Sequence, residues 1–130
     1  MRAVSLTIAA LALAVSGSAI AGKATQEEKL AKALAGRVAG EPVDCIMQRE
    51  IRTARIYDHI GILYEMNNGL YYVNTPKSGA SSLDWSDIMV TDTHSNQLCS
   101  IDVVKLMDSS THMQTGFVGL DKFVPYAKPK

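Results

Sequence analysis

The apolar residues of the chain change their period near residue 43, and this change separates a helical segment from a longer β-rich one. In the first segment, apolar residues recur at every fourth position, at Leu30, Leu34 and Val38. This spacing predicts an amphipathic helix over residues 25–38. Thr25–Glu28 form a capping box at its start, and Gly40 and Pro42 are stop signals beyond its end.

From Val43 onward the apolar period is two, and short β-branched and aromatic runs alternate with turn residues. Further strands are predicted over residues 88–93 and 98–107, and a last short apolar segment over 116–123. Several short strands separated by turns are typical of small antiparallel barrels and sandwiches. We therefore expect a mostly β fold, a small antiparallel β-barrel or sandwich preceded by one N-terminal helix.

The strongest local signal in this segment is a hairpin with its tip at Asn67-Asn68-Gly69. Asn-Gly at the two central positions predicts a type I′ turn, in which both residues have positive φ. That turn sets Tyr64 opposite Val73 and directs Tyr72 away from the apolar face. Tyr72 and Trp85 are accordingly the predicted members of a possible ligand surface.

The N-terminal residues have the order of a secretory signal peptide. Arg2 precedes an apolar run over residues 6–15, and Ala19-Ile20-Ala21 forms a small-residue cleavage site. We expect cleavage after Ala21, with Ser18 as the alternative position. The run is shorter than the roughly 20 apolar residues that a membrane-spanning helix needs, so an uncleaved anchor is less favoured.

These signals divide the chain into four parts and predict its cellular location. They are a signal peptide (1–21), an N-terminal helix and linker (22–42), a small β-rich domain (43–126) and a flexible tail (127–130). The predicted location is periplasmic or secreted, with no membrane span in the mature protein.

Cys45 and Cys99 are the only cysteines, and an even pair in an oxidising compartment predicts a disulfide. Two buried free thiols or a redox centre are the alternatives.

The charge is balanced over the whole chain but uneven along it. Thirteen basic and thirteen acidic residues argue against a general nucleic-acid-binding protein, which needs a basic field. Basic residues prevail over 23–55 and acidic residues over 57–108, which indicates either a bipolar surface or ordinary solvated faces. Arg49, Arg52 and Arg55 lie at a spacing of three, which strands would not bring to one face, so no anion-binding cluster is expected there.

Side chains that could carry chemistry are few. Asp84, Asp87, Asp92 and His94 are the best candidates for a metal-dependent or acid–base site, although they lack the pattern of a calcium loop. No cofactor is indicated. The sequence favours an exported, non-enzymatic binding or envelope-associated module with an unknown protein or small-molecule partner. A small envelope enzyme or metal-dependent protein that uses these four residues is the alternative.

Several short motifs together carry a resemblance. They are Cys45-Ile46 at a strand start, Tyr71-Tyr72-Val73-Asn74 after the turn, residues 95–104 around Cys99, and Phe123-Val124-Pro125-Tyr126 near the end. In this arrangement the chain resembles a family of small exported bacterial proteins with a domain of unknown function. The resemblance covers about residues 40–126. It implies an exported fold and no particular activity.

Overall fold

The computed structural model of the protein describes residues 25–130, which form one α-helix and ten strands. The predicted signal peptide lies outside the described residues. The elements are α1 (Gln26–Ala33), β1 (Val38–Ala39), β2 (Cys45–Met47), β3 (Ile51–Tyr57), β4 (Gly61–Met66), β5 (Tyr71–Asn74), β6 (Asp87–Thr91), β7 (Gln97–Cys99), β8 (Val103–Asp108), β9 (Gln114–Gly119) and β10 (Phe123–Ala127). The predicted mostly β fold with one N-terminal helix is confirmed.

The strands form three antiparallel sheets that pack as a small sandwich. The largest has the order β1-β10-β5-β4-β3, the second is β6-β8-β9, and a small sheet pairs β2 with β7. Side chains from all three sheets meet in one core, which includes Ile62, Leu98, Val104 and Phe123, each almost fully buried. Of the two predicted alternatives the structure is the sandwich, because β3 and β6 remain sheet edges and no barrel closes.

The helix begins where the sequence predicts and ends earlier. The Thr25 hydroxyl accepts a hydrogen bond from the Glu28 amide, and the Glu28 carboxylate accepts one from the Thr25 amide, both at 3.2 Å. The helix stops before Gly36, whose φ of 76° is left-handed and favours glycine. Val38, expected on the last helical turn, is instead the first residue of β1 and pairs with Ala127 of β10.

The helix docks on the outer face of the five-stranded sheet. Leu30, Ala33 and Leu34 pack against a second apolar cluster formed by Tyr57, Leu63 and Val73. Every residue of β4 is therefore buried, with Ile62 and Tyr64 in the main core and Leu63 beneath the helix. A strand that is covered on both sides does not reveal its orientation by a regular alternation of apolar and polar residues.

Both faces of β4 are buried, and the predicted register of the β4–β5 hairpin is wrong. Tyr64 lies opposite Tyr72, and Leu63 lies opposite Val73, one residue away from the prediction. Gly69 has a φ of 86°, but Asn68 does not have the positive φ that a type I′ turn requires. The tip is a three-residue loop with a glycine bulge, and Tyr72 shares the core-facing side with Tyr64.

Two further strand boundaries differ from the predictions. The expected single strand over 98–107 is divided by a turn, in which the Asp102 carboxylate accepts a hydrogen bond from the Cys99 amide at 2.7 Å. The predicted apolar segment over 116–123 is likewise interrupted between β9 and β10. Strand β10 includes Pro125 and pairs with both β1 and β5.

The predicted disulfide is confirmed. Cys45 of β2 lies directly opposite Cys99 of β7, and their sulfur atoms are bonded. The bond therefore locks the small sheet at the point where its two strands already pair. Among residues 25–130, no helix is both long enough and apolar enough to cross a membrane.

Candidate functional site: an open seam between two sheet edges

The four residues predicted for metal or acid–base chemistry lie along and beyond β6. Asp84 accepts hydrogen bonds from the hydroxyl and amide of Ser86, at 2.6 and 2.8 Å, and the hydroxyl contact is the main cause of its lowered pKa. Asp87 accepts a hydrogen bond from the Thr115 hydroxyl at 2.7 Å. Asp92 and His94 are exposed beyond the strand end. Within residues 25–130, no three His, Cys, Asp or Glu side chains are grouped so that they could hold a metal ion.

The two aromatic residues predicted for a ligand surface have different surroundings. Tyr72 is partly buried and packs edge-on against Phe123, with ring centroids 6.5 Å apart. Its expected outward direction is wrong, because that direction depended on the incorrect hairpin register. Trp85 is 72% exposed, in the loop that leads into β6. Its amide donates a hydrogen bond to the Asp58 carboxylate at 2.6 Å, which fixes the backbone beneath the exposed indole.

A seam runs between β3 and β6, which are outer strands of the two larger sheets and line the same clefts. Each of these strands has a partner on one side only, β4 for β3 and β8 for β6. Across the described residues, no backbone hydrogen bond joins β3 to β6. Ala54 of β3 shares the core-facing side with Tyr64 but is exposed, since none of the residues 25–130 covers it at the seam.

Two clefts run along this seam and meet between Ala54 and Met89. One has a volume of about 470 Å³ and extends past Ile56 and Ile88 to Trp85. The other has a volume of about 350 Å³, with Tyr64 and Leu98 at its base. Together they form a groove with an apolar floor along the gap between the two strand edges.

The floor and rim of the seam provide specific polar groups. The Tyr64 phenol is protonated at neutral pH and can donate a hydrogen bond, and burial raises its pKa further. On the rim, Arg55 of β3 and Asp87 of β6 line the same cleft with opposite charges. The seam thus combines an apolar base with one basic and one acidic wall.

A β-bulge in β3 brings Arg52 and Arg55 to one carboxylate. Ile51 pairs with Met66 and Thr53 with Glu65, so Arg52 is the extra residue between them. Arg52 and Arg55 both reach the Glu65 carboxylate, at 3.2 and 3.7 Å. The expectation that strand geometry would separate these two arginines is therefore wrong, because a regular alternation of side chains does not hold across a bulge.

Glu65 is the buried charge at the centre of this group, with 7% of its surface exposed. Burial of the carboxyl opposes its ionisation, but the hydrogen bond from Arg52 and the charge of Arg55 act in the other direction. The net effect of burial and of the two arginines is to lower the pKa of Glu65. The carboxylate remains ionised and holds both guanidinium groups on the side of β3 that pairs with β4.

The seam is not evident in the sequence, although two of its lining residues, Trp85 and Asp87, are candidates for function from the sequence. Ala54, Met89 and Leu98 have no unusual spacing or composition, and their proximity depends on which strands become sheet edges. Comparison of the chain with models of known families, with curated proteins and with solved structures gives no match. The resemblance to a family with a domain of unknown function therefore stays a prediction.

Proposed function

We propose that this protein is a non-enzymatic binding module that takes up an extended peptide segment as an added strand along the seam. The observation that carries the proposal is the pair of free strand edges, β3 and β6, above an apolar groove. Unpaired N–H and C=O groups at a sheet edge can bind an extended chain through main-chain hydrogen bonds. A peptide strand that lies between two sheet edges can form main-chain hydrogen bonds along both of its own edges.

The side chains along the groove support the same occupant. Alternate residues of an extended peptide point to one side, so every second side chain would lie over Tyr64, Met89 and Leu98. The small side chain of Ala54 leaves space for these residues at the point where the two clefts meet. Trp85 offers an exposed aromatic surface at one end. A peptide with alternating apolar residues fits this pattern.

The charges on β3 favour a different chain over a second copy of this one. An antiparallel pair of two β3 strands would bring the Arg52 and Arg55 side chains of both copies into one sheet region, where like charges repel. The bulge at Arg52 also interrupts the regular edge that self-pairing requires. We therefore propose a heterologous peptide segment as the occupant.

The predicted address agrees with this function. The signal-peptide order of residues 1–21 and the Cys45–Cys99 bond support a role outside the cytoplasm, in the periplasm or beyond it. Cleavage after Ala21 remains part of this proposal. A module in that compartment meets exported chains, including segments that are still extended.

The proposal is tested by filling the groove. Peptides with alternating apolar and polar residues are screened on a synthetic array, and the affinity of any binder is then measured by fluorescence anisotropy. Ala54→Trp should weaken binding by about tenfold or more, since the indole occupies the meeting point of the clefts. Ala31→Trp, on the exposed side of α1, is the matched control and should bind normally.

Two further measurements make the test decisive. Thr91→Trp alters the opposite, exposed wall and should weaken binding even if Ala54→Trp folds poorly. Backbone N-methylation of the peptide should abolish binding, because it removes the donors that a sheet edge requires. The proposal would be overturned if no peptide bound, or if the Ala54→Trp and Thr91→Trp variants both bound with the affinity of the unaltered protein.

A further inference from the structure

A third cleft lies on the other face of the five-stranded sheet, beside the tip of the β4–β5 hairpin. Its volume is about 540 Å³, and Gly69 and Tyr71 form part of its wall. Three cationic side chains line it: Arg37, Arg52 and Lys128. They come from the segment after α1, from β3 and from the end of the chain, so the fold and not local sequence brings them together.

Arg37 is held firmly at this cleft. Its guanidinium carbon lies 3.5 Å from the centre of the Tyr71 ring, a close cation–π contact. One of its nitrogen atoms, Nη1, donates to the carbonyl oxygens of Gly69 and Tyr126, at 2.9 and 3.2 Å. The other nitrogen atoms make none of these contacts. A charge fixed in this way loses little conformational entropy when a ligand binds.

Arg52 is also fixed before any ligand arrives. Its Nη2 atom contacts the Glu65 carboxylate at 3.2 Å, while 58% of the side chain remains exposed. Glu65 can balance only one positive charge, and it is shared with Arg55. The cleft therefore has an excess of positive charge, although the chain as a whole has equal numbers of acidic and basic residues.

We infer that this cleft is a binding site for an organic phosphate. Guanidinium groups donate paired hydrogen bonds to phosphate oxygens, and an ammonium group adds a compact charge. The volume falls within the usual range for small-molecule sites, so there is space for a small polar group attached to the phosphate. That group can belong to a soluble phosphate ester or to a phospholipid headgroup.

The test uses glycerol 3-phosphate and, separately, vesicles of phosphatidylglycerol, with phosphatidylcholine vesicles as the zwitterionic comparison. Calorimetry and amide chemical shifts should show binding of glycerol 3-phosphate or of the anionic vesicles, with shifts at Gly69 and Tyr71. Arg52→Ala and Lys128→Ala should each weaken that binding by about tenfold, since each removes a charge that faces the ligand. Both side chains are exposed, so the variants should retain the fold.

Arg55→Ala is the matched control, because Arg55 shares the Glu65 partner but lines other clefts. It should bind like the unaltered protein. Binding of the soluble ester identifies a free phosphate ligand, and binding of anionic vesicles alone identifies a headgroup. The inference is overturned if neither probe binds. It is also overturned if Arg55→Ala weakens binding as much as Arg52→Ala, or if Arg52→Ala and Lys128→Ala have no effect.

Discussion

Two regions of this sandwich treat their strand edges in opposite ways. Away from the seam, Val43 and Phe123 exchange two backbone hydrogen bonds of 2.8 Å, and Ser78 and Gly119 form a further bridge. These contacts connect the five-stranded sheet to the segments around β2 and β9. At the seam, β3 and β6 have no such connection within the described residues. We call the region that contains the Val43–Phe123 and Ser78–Gly119 bridges the joined region.

The difference shows that the opening is a local property of two strands. The joined region reaches across the sheets with single bridges of one or two residues, supported by one disulfide. Equivalent backbone groups are present on β3, the longest of the described strands, yet no described residue of β6 pairs with them across the gap. The buried carboxylate of Glu65 and the two arginines stabilise β3 from its other side instead.

The largest expected effect comes from removing the covalent link of the small sheet that borders both regions. Replacing Cys45 and Cys99 together by alanine should lower the free energy of unfolding by about 4 kcal/mol, because the bond closes a loop with a sequence separation of 54. Urea unfolding of the oxidised protein and of the double variant measures this loss. A loss below about 1 kcal/mol would show that strand pairing and the apolar core hold the small sheet in place without the bond.

A smaller effect is expected at Asn74, which belongs to the joined region. Its side chain is fully buried, donates to the Asp121 carbonyl at 2.6 Å and accepts from the Asp121 amide at 3.1 Å. Asn74→Ala should reduce stability by about 2 to 3 kcal/mol, since it leaves polar groups unsatisfied. Asn68→Ala, at the exposed hairpin tip, is the control and should lose less than about 1 kcal/mol in thermal or urea unfolding.

The smallest effect should occur at Glu65, beside the seam. Its lowered pKa means that the carboxylate stabilises the fold above the ordinary pKa of 4.5, and this contribution is lost as pH falls through the lower folded-state value. Glu65→Gln should cost about 1 kcal/mol at neutral pH, because both arginine partners are exposed. The stability of the Glu65→Gln variant should depend less on pH in acid than the stability of the unaltered protein.

Urea unfolding at a series of pH values measures this dependence. Glu50→Gln, an exposed carboxylate just before β3, is the matched control. If the Glu65→Gln variant lost stability in acid as steeply as the unaltered protein, the ion pairs of Glu65 would not contribute to the stability of β3.

The sequence predicts the features that depend on neighbouring residues or on composition. The Thr25–Glu28 capping box, the strand content and the Cys45–Cys99 bond are examples, and all three are confirmed. The hairpin position follows from Asn67-Asn68-Gly69, but its register does not. These residues can form either a type I′ turn or a wider loop with a glycine bulge, and the apolar residues on both faces of β4 do not distinguish them.

The candidate sites depend on distant residues, which explains why the sequence does not reveal them. The seam requires that β3 and β6 become the outer strands of different sheets, a choice made by long-range pairing. The cluster of Arg52, Arg55 and Glu65 requires one bulge, for which the spacing of the arginines gives no signal. Trp85 and Asp87 are the seam residues that the sequence singles out, the first for a ligand surface and the second for metal or acid–base chemistry.

The bond between Cys45 and Cys99 also makes a covalent ring of the chain between them. Both strands of the seam, β3 and β6, lie within that ring. A single cut of the backbone anywhere between the two cysteines, for example in the loop around Gly79, would open the ring without releasing a fragment. Both walls of the groove would remain parts of one molecule after a proteolytic nick.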